Sequence, residues 1–367
     1  MAGKQTILIT GVSGNLGARL VKQLADSQVI GADIREPSSR DGIFRFEKID
    51  LAEERSCDQL LELMRAYNPE AVAHLAFVAA PERVGGPDEK AMWQVNVVGT
   101  SRAIEAIAEH NRMSEDTGGV EKFIFTSSAA IYGPHPAPPV VESAPARAES
   151  LVWAEQQQEA DRTVQQRAAA LRRCKTYILR SHLYGGADAQ NYELAALRGT
   201  PGARRLGQHL RRRGRRLPLF LPSKGSYLEN KLQFVHADDV AGLIAYIVRR
   251  PQTDPRLTIL NVAGHGDPLT LRRCVEIAGS RVKLLPGIVF CQEAMRLLWD
   301  WGASDIPPQA LPYLLGSCAL ETTRLRLFLG EHYRSVIQHT SEEALIESLE
   351  GSRKPWLSSQ LMLSANA

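Results

Sequence analysis

The feature that most constrains the fold is a set of three glycines placed directly after a short apolar run. The run Gln5–Thr10 is rich in β-branched residues, and Gly11-Val12-Ser13-Gly14-Asn15-Leu16-Gly17 follows it without a spacer. That loop opens an amphipathic stretch carrying Leu20, Val21 and Leu24 on one side. Glycines so spaced let the backbone turn sharply, leave bare N–H groups open to a pyrophosphate at a helix start, and let the helix pack close on the strand. A three-glycine loop alone is a weak signal, and a glycine-rich turn or a helix N-cap is the plainer reading. Here the strand before it and the helix after it supply the missing context. The next strand candidate, Val29–Asp33, ends in an acid about 20 residues further on, where a carboxylate can accept both ribose hydroxyls and repel a 2′-phosphate. The pattern therefore predicts NAD over NADP, with Arg35 as the neighbour that could instead accommodate the extra phosphate. Asp50-Leu51, after the third strand candidate, is placed to meet the adenine.

Short β-branched runs alternate with longer amphipathic ones through the first 180 residues, the pattern of βαβ units in a parallel sheet. Strands are predicted at Gln5–Thr10, Val29–Asp33, Phe44–Ile49, Ala71–Leu75, Phe123–Ser127 and Thr176–Arg180, and helices at Leu16–Ala25, Glu54–Tyr67, Glu89–His110 and Leu151–Arg172. From Gly185 to Leu232 glycine, proline and arginine dominate, and the expectation there is loop. A helix Ala237–Arg249, a strand Thr258–Val262 and a helix Leu271–Ala278 come next. The expected fold is α/β: a Rossmann-type doubly wound parallel sheet over residues 1–184, and a smaller C-terminal substrate lobe, interleaved with it, over 185–357. Residues 358–367 read as a frayed tail.

Composition excludes more than it selects. Basic and acidic residues number 44 and 41, so a net charge of +3 points to no polyanionic partner on its own. The cysteines Cys57, Cys174, Cys274, Cys291 and Cys318 form no CxxC pair, which argues against a zinc site or a disulfide framework and for a reducing compartment. Neither a secretory leader nor an apolar run long enough to span a bilayer is visible, so a cytoplasmic location is expected.

Further motifs follow in order: His74-Leu75-Ala76, Asn96-Val97-Val98-Gly99-Thr100, Phe125 to Gly133 (FTSSAAIYG), Leu179 to Gly185 (LRSHLYG) and Phe234 to Val240 (FVHADDV). Together with the glycine loop, Asp33 and Asp50-Leu51, they resemble the NAD-dependent epimerase/dehydratase branch of the extended short-chain dehydrogenases. Leu260 to Gly264 and Glu321 to Leu325 extend the likeness to about residue 350. The resemblance implies that Gly11, Gly14 and Gly17 hold the pyrophosphate, with Ser13, Asn15 and Leu16 of the same loop also contacting the cofactor, Asp33 the ribose, and Asp50 and Leu51 the adenine. It further implies cofactor contacts from Leu75, Ala76, Phe77, Asn96, Thr126, Gln157 and His182. For Asn96 the plainer role of tying backbone together beneath the site is preferred. Ser128 matches the hydroxyl that hydrogen-bonds the substrate's reacting oxygen.

One pair departs from the family. Its Tyr-x-x-x-Lys places two side chains on one helix face, the lysine lowering the phenol's pKa and holding the nicotinamide ribose. The matching positions here are Trp153 and Gln157. Indole N–H only donates and a glutamine amide carries no charge, so neither performs that proton transfer. Losing a positioned acid/base costs about 10²–10⁴-fold in rate. Replacement candidates are His182, His135 and Glu155, although each also reads as an ordinary lining, loop or solvated residue; His182 is preferred. An acidic pair beside the serine, needed for dehydration, is replaced by Ala129-Ala130.

The second lobe departs too. Family members that bind nucleotide sugars place clamp arginines where this chain has Leu232-Gln233 and Ile306 to Leu311, which disfavours a nucleotide sugar. A small, apolar or carbonyl-bearing substrate fits better. Arginines crowd between Arg204 and Arg216 and could meet RNA or anionic lipid, although a solvated loop is the plainer reading. Apolar residues are dense from Leu284 to Phe290 and from Met295 to Trp301. The resemblance implies a homodimer through a helix pair including Leu151–Arg172. Two functions stay open: an atypical NAD-dependent oxidoreductase or epimerase, and a catalytically silent NAD-binding sensor or scaffold with Trp153 filling the substrate space.

Overall fold

The computed structural model describes residues 4–79, 88–114, 118–171, 173–251 and 253–350. The expected tail, 358–367, and Arg172 lie outside the described residues. The chain begins β1 (Thr6–Thr10), α1 (Asn15–Gln23), β2 (Gln28–Asp33), β3 (Ile43–Lys48), α2 (Ser56–Tyr67) and β4 (Ala71–His74). It continues α3 (Glu89–Trp93), α4 (Thr100–Met113), β5 (Lys122–Ser128), α5 (Val152–Arg167), β6 (Lys175–Ser181) and β7 (Leu183–Gly185). Then come α6 (Tyr192–Arg198), α7 (Arg205–Arg212), β8 (Leu219–Pro222), β9 (Lys231–Leu232), β10 (Phe234–His236), α8 (Ala237–Arg249) and β11 (Leu257–Val262). The last described elements are β12 (Leu269–Thr270), α9 (Leu271–Ala278), β13 (Val282–Leu285), α10 (Ile288–Asp300), α11 (Leu311–Leu314), α12 (Thr323–Leu329), α13 (Tyr333–Val336) and α14 (Ser341–Glu350).

Seven strands form one sheet in the order β11-β6-β5-β4-β1-β2-β3, every pair parallel. The order reverses direction between β1 and β4, so the crevice above their carboxyl ends is the topological switch point where such sheets bind ligands. Apolar runs such as Ile7-Leu8-Ile9 are fully buried because helices cover both faces. On one face α1 and α8 pack together over Ile7, Ile9, Val29 and Leu260. On the other, α2, α4 and α5 cover Leu8, Ile30, Val72, Phe123 and Ile178.

Two readings of the sequence need correction. Glu89–His110 is not one regular helix: a π-turn at Gln94–Gly99 separates α3 from α4. The glycine at 99 lets the Leu51 segment approach closely, since a Cβ there would press on the Leu51 side chain at 2.9 Å. Second, Gly185–Leu232 is not mainly loop. It holds α6, capped by the Asn191 side chain on Leu194 N, as well as α7 and β8, and most of the arginine-rich run lies in or beside a helix. The helix and strand expected at Ala237–Arg249 and Thr258–Val262 are present as α8 and β11: β11 is the edge strand of the main sheet, beside β6, and α8 packs against α1. The chain thus leaves the sheet after β6, builds part of the lobe, and returns to finish the sheet. The lobe has its own core, with Leu194, Leu221, Phe234, Cys274, Cys291, Leu311 and Leu345 packed around small sheets.

Candidate functional site

Gly11 N donates to Ala32 O (2.8 Å) and Gly14 N to Gly11 O (3.1 Å), which folds the loop into a tight turn over the end of β1. Gly11 sits at φ +76°, and a Cβ there would lie 2.6 Å from Ala76 N. A Cβ on Gly17 would lie 2.5 Å from both Gly11 O and Val12 O. Backbone so closely apposed leaves only amide edges at the start of α1, the surface that a pyrophosphate needs. Leu75, Ala76 and Phe77 continue from β4 across this turn, with Leu75 N donating to Thr10 O (3.0 Å).

The carboxylate of Asp33 accepts from Ser13 N (3.0 Å) and Arg35 N (3.1 Å), and Ser13 Oγ donates to Arg35 O (2.6 Å). Both oxygens are thereby oriented, and each keeps a lone pair for a ribose hydroxyl. Asn15 Oδ1 accepts from Arg19 Nε (3.0 Å), and Leu16 packs into the core behind the loop. Asp50 turns the chain by accepting Ala52 N (2.9 Å), and Leu51 is buried beside Gly99. The loop, the acid and the β4 segment therefore fit a dinucleotide on their own geometry.

Asn96 is fully buried in the π-turn. Its amide pairs with both Val78 N (2.8 Å) and Val78 O (2.9 Å), and also donates to Gln156 Oε1 (2.8 Å). It therefore ties the β4 segment to α5. His74 lies below, bridging Thr10 Oγ1 (2.7 Å) and Thr100 Oγ1 (3.1 Å), and burial lowers its pKa to about 4.

Ser128 ends β5 opposite Ser181 on β6, so His182 begins one residue beyond that pair. Ser128 Oγ accepts from Ala130 N (3.1 Å), while Ser127 Oγ donates to Asp161 Oδ2 (2.6 Å). His182 is buried, its Nδ1 accepts from Leu183 N (2.8 Å), and its Nε2 has no partner in hydrogen-bond geometry. Desolvation lowers its pKa to about 4, against a weaker opposing pull from the Cys318 backbone, so the ring is neutral at pH 7. With Nδ1 accepting, the ring proton is assigned to Nε2 by the hydrogen-bond pattern. Thr126 Oγ1 donates to His74 O (3.4 Å), and Gln157, buried, donates to Thr126 O (3.4 Å). Trp153, one turn earlier on α5, packs against the lobe core with its Nε1 buried and unpartnered. His135 is exposed in the loop after β5, and Glu155 is the exposed residue of the otherwise covered first turn of α5.

The sequence reading missed a buried polar network beneath these groups. Arg180 clamps Asp161 with two hydrogen bonds (2.8 and 3.0 Å) and donates to Tyr132 OH (2.9 Å) and Glu142 O (2.7 Å). Tyr132 OH in turn donates to Asn261 Oδ1 (2.7 Å). The available signal was an arginine directly after the apolar run Tyr177-Ile178-Leu179, still within the strand candidate Thr176–Arg180. Tyr313 was also missed: from α11 its hydroxyl donates to Ala130 O (3.1 Å), bringing a phenol of the lobe against the end of the serine strand. Burial, with Glu149, Glu155 and Glu193 nearby, raises its pKa to about 12, and burial raises Glu193 to about 7.

His236, Asp239 and His339 stand together at the start of α8. The two imidazoles are stacked at 4.0 Å with 23° between planes, so their in-plane lone pairs run side by side and do not converge on one ion. At Leu232-Gln233, Gln233 is buried with its Oε1 accepting Leu320 N (2.7 Å), a structural use of the side chain.

A doubly wound parallel sheet with a glycine cradle at its switch point and an acid at the end of β2 defines a Rossmann-type dinucleotide-binding protein. The NAD dependent epimerase/dehydratase family matches residues 7–263, and the chain belongs to that family, within the extended short-chain dehydrogenases. UDP-glucose 4-epimerase of Erwinia amylovora is 33% identical over 154 residues, 38% of this chain and 42% of that protein. UDP-glucose 4-epimerase of Klebsiella pneumoniae is 31% identical over 147 residues, 37% of this chain and 99% of that sequence. The chain thus matches about two fifths of the length of the first such relatives. Among solved structures, MoeE5 in complex with UDP-glucuronic acid and NAD superimposes with a TM-score of 0.63 at 19% identity, covering 96% of this chain and 99% of that one. The Thermus thermophilus UDP-glucose 4-epimerase complex with NAD gives 0.62 at 19% identity, covering 95% and 98%.

Proposed function

We propose that this chain binds NAD(H) above β1 and β4 and carries out epimerase-like oxidoreduction of a hydroxyl/carbonyl pair on a small substrate held by the lobe. The observation that carries the reading is the backbone cradle of Gly11, Gly14 and Gly17, with the Asp33 carboxylate oriented beside it by Ser13 N and Arg35 N. In this reading the loop amides hold the pyrophosphate and Asp33 accepts the ribose hydroxyls. Asp50 and Leu51 flank the adenine, and Leu75, Ala76, Phe77 and Thr126 line the path toward the nicotinamide. Bound nicotinamide supplies a hydride acceptor and donor. Ser128 Oγ, at its strand end, polarises the reacting oxygen. His182, neutral with its ring proton on Nε2 and only weakly engaged by the Cys318 backbone, is the second hydrogen-bond donor of this reading, and water carries the proton that a family tyrosine would take. Gln157 holds the ribose by hydrogen bonding without charge.

The relatives are named for UDP-glucose. For this chain we propose a smaller or more apolar substrate, supported by Leu232-Gln233 and Ile306 to Leu311 at the clamp positions and by the structural commitment of Gln233. We also propose a homodimer through α5. Titration calorimetry with NAD and NADP, followed by an absorbance screen at the reduced nicotinamide band with alcohols, ketones and UDP-sugars, tests the whole reading. Binding of NAD in preference to NADP with turnover of a small carbonyl compound is expected. Absence of dinucleotide binding overturns it entirely. NAD binding with neither net hydride transfer nor interconversion of epimers, read by product chromatography across the panel, overturns its catalytic half and leaves the sensor or scaffold reading.

A further inference from the structure

Fourteen large apolar side chains are exposed among the described residues, and six of them, Leu284, Ile288, Val289, Phe290, Leu297 and Trp301, fall within β13, α10 and the residue after it. Helix α10 buries Cys291 and Met295 against the lobe. Phe290, Leu297 and Trp301, spaced seven and four apart, share a different flank of the helix and face no protein. Phe290 is 59% and Trp301 64% exposed, values that a monomer rarely shows for neighbouring large side chains.

Basic groups outnumber acids around this apolar strip: on α10 itself Glu293, between Phe290 and Leu297, is paired with Arg296 (2.6 Å), and Asp300 is the other acid of the helix. Seven arginines and no acid occur between Arg204 and Arg216. Arg213, Arg215 and Arg216 line one surface hollow with Arg281, which directly precedes β13. At the other end of α10, the Arg204 stem lies against Gly302, next to Trp301. Arg205, Arg212, Arg213 and Arg215 make no ion pair among the described residues, unlike Arg211, which reaches Asp305 at 4.0 Å.

We infer that α10 and the flanking arginines form a docking face for an anionic lipid surface. An aliphatic and aromatic strip bordered by unpaired guanidinium groups matches the acyl boundary and phosphate layer of such a surface, with the long arginine stems able to place charge at headgroup level. A second copy of this chain is disfavoured as occupant, because a two-fold contact through α10 would set one arginine cluster near another. RNA is disfavoured because four of the six exposed side chains, Leu284, Ile288, Val289 and Leu297, are aliphatic and offer no face for base stacking, leaving only Phe290 and Trp301 for it. The attachment is peripheral: no described helix is long and apolar enough to cross a membrane.

The test is sedimentation of the full chain with vesicles of phosphatidylcholine alone and with about a third phosphatidylglycerol. Binding is expected only to the anionic vesicles, and it should weaken steeply as salt is raised. Arg213→Gln with Arg215→Gln should lower the partition coefficient by about 30-fold, taking the usual contribution of a basic residue at a charged membrane. Phe290→Ser with Trp301→Ser should lower it at least tenfold while leaving the circular dichroism melt unchanged, since both side chains are exposed. The inference is overturned if the native chain stays in the supernatant, or if both variants sediment like it. It is equally overturned if single-stranded RNA binds the patch more tightly than anionic vesicles, or if Phe290→Ser dissociates a dimer that forms without lipid.

Discussion

Replacing Asp161 by alanine is the sharpest probe of how the site is supported. Asp161 is 1% exposed and Arg180 4%, and their two hydrogen bonds are 2.8 and 3.0 Å long. The substitution strands a buried guanidinium that keeps only Tyr132 OH and Glu142 O as partners, and it also removes the acceptor of Ser127 Oγ. Breaking one side of a buried pair costs about 3–5 kcal/mol, most of it the uncompensated charge. At roughly 2.1 cal/mol/K of unfolding entropy per residue, 367 residues make 4 kcal/mol a melting shift of about 5 °C. Converting both partners together, Asp161→Leu with Arg180→Met, should recover much of the loss, because two apolar side chains strand no charge. Calorimetric melts and urea curves of the native chain, Asp161→Leu, Arg180→Met and the double variant close the cycle. A single-variant cost under about 1 kcal/mol, or costs that simply add in the double variant, would refute the account of Arg180 and Asp161 as one coupled unit.

Gly17→Ala should abolish dinucleotide binding in calorimetry, because the new methyl would meet Gly11 O and Val12 O at 2.5 Å and force α1 off the strand. Restoring the family pair with Trp153→Tyr and Gln157→Lys should raise hydride transfer by at least tenfold over the native chain if the rest of the pocket is competent; an unchanged rate argues that Ser128 and His182 do not face a substrate. His74 and His182, both held neutral with pKa values of about 4, give stability that is complete above the ordinary histidine value and drains as pH falls toward 4. The unfolded chain protonates first, so each contributes roughly 3 kcal/mol at neutral pH. Urea curves between pH 7 and 4 should flatten in His74→Gln; equal slopes for variant and native chain would remove histidine burial as the cause.

The Rossmann half was legible because its information is local. A glycine that must accept φ +76° beneath Ala76, and a strand whose centre, Ile7-Leu8-Ile9, is apolar and buried throughout, leave few alternatives. Asn96 illustrates what is not local: an asparagine inside a helical run is visible, but its reach to Val78 and Gln156 depends on a π-turn that no periodicity announces. The partnership of Arg180 with Asp161 spans 19 residues and two elements, so the sequence offered only an oddly charged strand. Between Gly185 and Leu232 the reading failed for another reason. α7 is short, arginine-rich and anchored largely from outside, by Asp305 on Ala203 N and by Gly302 O on Gly207 N, so its helical state follows from the lobe rather than from its own pattern.

The return of the chain at Leu257–Val262 couples the two halves of the molecule in time as well as in space. Until that segment has left the ribosome, β6 presents an open row of amide and carbonyl groups from Thr176 to Ser181 with nothing alongside. A chain stopped at residue 184 would therefore carry a raw sheet border and lack the α8 layer over α1, a combination that favours aggregation. The nucleotide half cannot be harvested as a free-standing piece, and biosynthesis must deliver most of the lobe before the cofactor cleft has its full support.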